Sequence, residues 1–242
     1  MWDRRSMMSV ALALMVSTLI FLVGYASASA YLAFTSKMPE EVVLGAPQVQ
    51  MALERMEAVS EVLEPVVEAA SPPPEPEEAG EAGQGAEIMG SEYEAQLRVE
   101  MAATLLSIFF NNALVSMAVA YAPLLILIPY KVASLMRGWG SPQNLEKLWM
   151  ACRAASPIVP VGNLWVNGFI FRALKSISGL HAFMILEILA FILIASVGVE
   201  AFLNSRTPES FRKTYKGGIT RIFLGMILFL ASSALEVEVM FG

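Results

Sequence analysis

Six residues of this chain stand inside apolar runs at positions where chemistry could be done, by a side chain or, for the glycine, by the backbone. They are Asn111 and Asn112 in IFFNNALV, Asn167 and Gly168 in WVNGF, and His181 and Glu187 in GLHAFMILEILAFILIASVGVE. A carboxylate inside a membrane-length run is the sharpest of these signals. Placing such a charge at bilayer depth costs roughly 2.5 to 3.5 kcal/mol on insertion scales, so Glu187 must face protein and either pair or stay protonated. It then serves one of two ends: it fixes how helices meet, or it belongs to a working site. His181 lies six residues before it, about 120° away on a helix, so the two do not form a dyad along one stripe. The expected place for His181 is a hydrogen-bonded interface near the outer end of its span. Gly198, eleven residues after Glu187, does share its stripe, with Phe191 and Ile194 between.

The asparagines read in the same way. Each buried amide costs free energy unless it bonds to a neighbour. Asn111 and Asn112 point about 100° apart, so they need partners on two sides, or one of them bonds its own helix. Such interhelical bonds contribute on the order of 1 kcal/mol each. Asn167-Gly168 suits a kink or break in a span, because glycine tolerates backbone conformations that other residues resist. Broken helices of this kind expose backbone groups in transporters. The alternative to interhelical bonding, for Asn111, Asn112, Asn167 and Glu187 together, is the lining of a hydrated path for a small solute or ion.

Other chemistries are excluded. Asp3 is the only aspartate, so no intramembrane aspartyl dyad exists, and the single histidine rules out an H-E-x-x-H zinc site. One cysteine, Cys152, allows neither a disulfide framework nor a thiolate metal site, and it reads as an inert packing residue. No nucleophile elbow, phosphate loop or dinucleotide fingerprint is present. The chain is expected to be no enzyme, to hold no metal and to need no cofactor. Its basic clusters are short juxtamembrane loops suited to lipid contact, and nucleic acid is not an expected partner.

The elements that must position these residues are membrane spans. With 56% hydrophobic and 16% charged residues and a mean hydropathy of +0.60, the chain falls outside the soluble range. The expected fold is all-α, a polytopic bundle of about five transmembrane helices, one short or broken, with an acidic extracytoplasmic insertion. Residues 1–34 form the N-terminal anchor, residues 35–100 the acidic loop, and residues 101–242 a membrane core with four spans. The first span, 7–34, follows Asp3-Arg4-Arg5, which sets the N-terminus in the cytoplasm. A charged start, an apolar stretch and ASASA at 26–30 also fit a cleaved secretory signal, although 28 apolar residues exceed the usual signal core.

The loop 35–100 carries fifteen glutamates against Lys37, Arg55 and Arg98, and so the rest of the chain is basic. That division is the one the positive-inside rule produces when a long acidic loop is translocated. Within it, Met51, Leu53, Met56, Val59, Val62 and Leu63 suit an amphipathic helix. Residues 71–87 hold too much Pro, Gly and Glu to bury a core and are expected to be disordered. The arm is either a solvated spacer or a surface that docks an external partner.

On the inner side, SPQNLEKLWMACRAA places Ser141 as N-cap and Pro142 at the first helical position of a short helix. Its stripe is Leu145, Leu148, Trp149 and Cys152, flanked by Lys147 and Arg153, and the helix is expected to lie along the membrane surface. Residues 157–171 are apolar but cover only about 22 Å as regular helix, so this span must break, tilt or extend toward Ser178 with Arg172 and Lys175 snorkelling outward. The loop 204–221 holds Arg206, Arg212, Lys213, Lys216 and Arg221 against Glu209 and belongs in the cytoplasm. That requires 157–178 to cross, giving five spans and an extracytoplasmic C-terminus; a re-entrant 157–171 is the competing arrangement. Glu236 and Glu238 are expected to be solvated at the outer end of the last span.

IFFNNA, the Asn167-Gly168 pair and a histidine followed by EILAFILIASVG resemble the stage II sporulation protein M family over about residues 105–240. The family's histidine motif reads Pro-His-Gly before its glutamate, and here Leu180 and Ala182 flank His181 instead. The resemblance implies a multi-span scaffold that recruits other proteins. The expected function is therefore a scaffold or assembly factor in the cell membrane. Its partners would be membrane lipid, proteins bound through the extracytoplasmic loop or the bundle, and a second copy of the chain; the alternative is a transporter or channel.

Overall fold

The computed structural model describes residues 4–70, 84–136, 141–178 and 180–241. Every regular element among them is an α-helix: α1 Arg4–Thr35, α2 Pro39–Leu44, α3 Pro47–Ala70, α4 Gln84–Leu125, α5 Leu127–Leu135, α6 Pro142–Ala155, α7 Ile158–Ser178, α8 Ala182–Asn204, α9 Pro208–Gly217 and α10 Ile219–Phe241. Five stretches are long and apolar enough to cross a membrane, centred on α1, α4, α7, α8 and α10. The fold is an all-α helical bundle.

Helix α8 is the hub. It is apolar on every side, and a helix of that kind is stable only when surrounded. Ala190, Phe191, Ile192 and the unbroken run Ile194–Ala201 are buried. Helix α10 runs antiparallel to it. Gly218, just before α10, meets Val197, Gly225 meets Ile194 and the Ala190 carbonyl, Phe229 stacks edge-on against Phe191 at 4.8 Å, and Ser232 donates to the Phe183 carbonyl at 2.9 Å. Helix α4 runs parallel to α8. Gly198 sits against Pro123 and Pro160, and Asn112, eleven residues before Pro123, bonds Glu187, eleven residues before Gly198.

The third long helix differs from the break expected at Asn167-Gly168. Helix α7 is continuous from Ile158 to Ser178, and at 1.5 Å per residue its 21 residues cover about 31 Å, the thickness of the apolar core. Pro160 sits in its first turn, where the missing N–H would have had no partner. Gly168 serves packing instead. A Cβ there would stand 2.1 Å from the Phe21 carbonyl oxygen of α1, and one on Gly24 of α1 would stand 2.0 Å from that of Trp165. Two glycines thus let two helix backbones touch, which is how apolar helices associate where there is no water to expel. The small buried residues Ala13, Ser17 and Ala28 continue the same seam of α1, so the 26–30 run enters it through Ala28.

One end of the bundle is closed by the two short helices α6 and α9. Ser141 caps α6 as the sequence requires, its hydroxyl accepting from the Asn144 N–H. Trp149 and Cys152 are buried. The Trp149 indole donates to the Arg206 carbonyl at 2.8 Å and meets Phe211 of α9 edge-on at 6.0 Å, while Arg153 donates to the Phe202 carbonyl. Thr207 and Ser210 form a reciprocal capping box on α9.

The acidic segment is more helical than its composition suggests. Helix α3 contains the amphipathic pattern, and α4 starts at Gln84, so 84–87 are helical and not disordered; residues 71–83 lie outside those described. Once the apolar span behind them is folded, QGAE extends an existing helix and needs no new nucleus.

Candidate functional site

The in-membrane polar residues fall into two layers. In the first, the Glu187 carboxyl is hydrogen-bonded by the Asn112 side chain. Asn111 turns to the other side of α4, where its Oδ1 accepts from Arg55 Nε of α3 at 2.9 Å. The 100° offset between neighbouring helical positions is met by one partner on each side. Both asparagines are 8% exposed, so neither amide depends on water for its partner.

Glu187 stands about 8 Å inside the start of α8, a quarter of the way along it and short of the bilayer centre. It is half-buried because it borders a cavity of about 320 Å³ between α7, α8 and α10, which Phe21 of α1 also lines. Asn167 borders the same space, its Nδ2 donating to the Asn163 carbonyl at 2.9 Å and to the Asn163 side chain at 3.0 Å. So Asn167 satisfies its own helix and breaks nothing. Glu236 lines the cavity as well, which corrects the expectation that it is solvated; Glu238 is exposed. The reason is register: Gly225, Phe229, Ser232 and Glu236 lie three or four residues apart on the face of α10 turned to α8. His181 is the N-cap position of α8, and its ring stacks on Phe183 with centroids 5.3 Å apart.

The second layer lies at the end closed by α6 and α9, thirteen residues further along α8, or about 20 Å. Glu200 of α8 forms a buried ion pair with Arg221 of α10. Ser196 accepts from Arg221 Nη1 at 2.9 Å. Ser9 of α1 donates to the other Glu200 oxygen at 2.6 Å, and Asn204 donates to Ser9 at 2.6 Å. Three spans meet in this one network. Arg221 is therefore no loop cation; it is 7% exposed in the first turn of α10. The exposed cations of that loop are Arg206, Arg212, Lys213 and Lys216.

Sequence reasoning passed over Glu200, Ser9 and Gly24, and it assigned Arg221 to a cytoplasmic loop and Glu236 to solvent. For Glu200 the signal was present, since it closes the same apolar run as Glu187. For Arg221 it was the repeat 221, 225, 229, 232, 236, which puts an arginine at the head of a core-facing stripe.

The elements and the two layers define an integral membrane protein of the all-α class. No family model, no curated protein and no solved structure matches the chain. Among the described residues, no group of three or more His, Cys, Asp or Glu is placed to hold a metal ion.

Proposed function

We propose that the chain is a non-enzymatic membrane scaffold, related to the stage II sporulation protein M family, whose polar in-membrane residues lock a helical core while the segment before α4 engages a partner outside. The observation that carries this reading is the Arg55–Asn111 bond, which fastens the amphipathic helix α3 to the side of α4. The other polar contacts tie span to span, Asn112 to Glu187, Ser9 to Glu200, and Arg221 to Glu200. Its test is affinity purification in mild detergent of the full chain and of a chain lacking residues 47–70. The scaffold reading expects defined partners to disappear with α3; an unchanged partner set removes the arm from the proposal.

A second reading, transport of a small solute or ion, is favoured by the cavity that Glu187, Glu236 and Asn167 border. Flux into liposomes, compared between wild type and Glu187→Gln, separates the two readings. Flux that the substitution abolishes favours transport, and absence of flux from both chains counts against it.

A further inference from the structure

We propose that the cavity between α7, α8 and α10 is a binding site for an organic cation with an apolar body, an alkylated ammonium, whose charge is held by Glu187 and Glu236. The inference builds on the second reading in taking this cavity as a working part of the bundle. It goes further in naming the chemistry of what the cavity takes.

The cavity has two kinds of wall. One is aromatic and aliphatic, with Phe21, Phe171, Phe183 and Phe191 from three helices. The other is two carboxyl groups with the Asn167 amide. At about 320 Å³ it reaches the lower end of the range for small-molecule sites, roughly 300–1,000 Å³, which are mostly apolar with a few convergent polar groups. Phenyl rings and carboxylates around one space are the chemistry that recognises ammonium groups carrying alkyl substituents. A ligand with the opposite charge would meet two acids, and a neutral apolar one would leave them unmatched.

The acids are also poorly matched from within the protein. The Asn112 amide satisfies part of Glu187, while no hydrogen bond to the Glu236 carboxyl is found among the described residues. The two cations near the end of α7 are turned to α1 instead. Arg172 donates to Ser29 at 3.0 Å and lies over the Tyr25 ring at 5.7 Å, and Lys175 lies 5.9 Å from the same ring. Neither lines the cavity.

A bare metal ion fits less well. Two carboxylates and an amide fall short of the six to eight oxygens that calcium takes, and an apolar wall gains nothing from a strongly hydrated ion. An alkylated ammonium uses both walls at once.

The test is calorimetric titration of the purified full chain, in detergent and in nanodiscs, with tetramethyl-, tetraethyl- and tetrapropylammonium chloride, against sodium chloride at equal ionic strength. Saturable binding is expected for at least one tetraalkylammonium and not for sodium, weakened tenfold or more by Glu236→Gln. That substitution removes no hydrogen bond, so the variant should fold. Phe171→Ala should weaken the larger cations more than the smallest. Absence of saturable binding, equal binding of sodium, or unchanged affinity in Glu236→Gln overturns the proposal. Liposome flux of the bound cation reports separately on transport: binding without flux leaves the site standing and sinks the transport reading, whereas proton or sodium flux without ammonium binding does the reverse.

Discussion

Gly168 of α7 lies against Phe21 of α1 so closely that a methyl group on it would come within 2.1 Å of a backbone oxygen. Gly24 makes the reciprocal contact with Trp165 at 2.0 Å. Backbone atoms cannot swing aside as a side chain can, so even alanine must push the helices apart. Gly168→Ala and Gly24→Ala are expected to cost about 1–3 kcal/mol each, the usual range for overpacking, seen as a lower unfolding temperature in detergent. Gly162→Ala on the same helix is the control. Beyond its own helical turns, no atom of the described residues lies within 4 Å of its Cβ position, and alanine's helix propensity gains up to about 1 kcal/mol.

The Glu200–Arg221 pair predicts a different pattern. Each partner is nearly out of reach of solvent, so removing one leaves an uncompensated charge, a loss of about 3–5 kcal/mol in measured cases. Glu200→Gln and Arg221→Gln should each lower the unfolding temperature strongly. The joint replacement of both residues by leucine should recover most of the loss, because two apolar side chains leave no orphan charge. A double variant no more stable than either single one would show that the Ser9 and Ser196 bonds carry the contact.

How far these features can be read in advance depends on whether they are periodic. Spans, the Ser141 cap and the stripe of α6 follow from local pattern, since burial and capping repeat at fixed intervals along one helix. The two sides required by Asn111 and Asn112 follow from the same geometry. What pattern cannot supply is which helix lies opposite. Gly168 looks like a hinge until Phe21 is seen to press on it, and Arg221 looks like a loop cation until Glu200, twenty-one residues earlier, is found beside it. Glu236 is the intermediate case: its place on the core face is periodic, but its cavity is made by α7 and α8.

The asparagines separate two functions of adjacent residues. Asn111→Leu should leave the bundle nearly as stable and free α3 from α4, so that trypsin cuts at Arg55 faster in folded protein. Asn112→Leu should leave trypsin sensitivity unchanged but strip Glu187 of its bond, at a cost of about 1–3 kcal/mol for an unsatisfied buried group. Adding Glu187→Leu should recover stability. Equal trypsin sensitivity in the two single variants would mean that Asn111 does not hold the arm.

Tyr215 of α9 yields the last prediction, which runs against the usual sense of a core substitution. Its ring is buried against Phe211, and its hydroxyl has no hydrogen-bond partner among the described residues. Burial pushes the phenol above its ordinary range, and the nearby Tyr121 phenol adds to the shift. Because the folded chain holds this proton more tightly than the unfolded chain, the contribution is complete below the unfolded value of about 10 and is lost as pH rises beyond it. Removing the hydroxyl removes both an unsatisfied polar atom and an ionisable one. Tyr215→Phe should therefore be neutral to stabilising by about 1 kcal/mol near neutral pH, and its unfolding temperature should fall less than that of the wild type between pH 9 and about pH 11. Parallel melting curves across that interval settle the matter: a variant that loses stability at neutral pH, or follows the wild type at high pH, would mean that the hydroxyl has a partner in the folded protein.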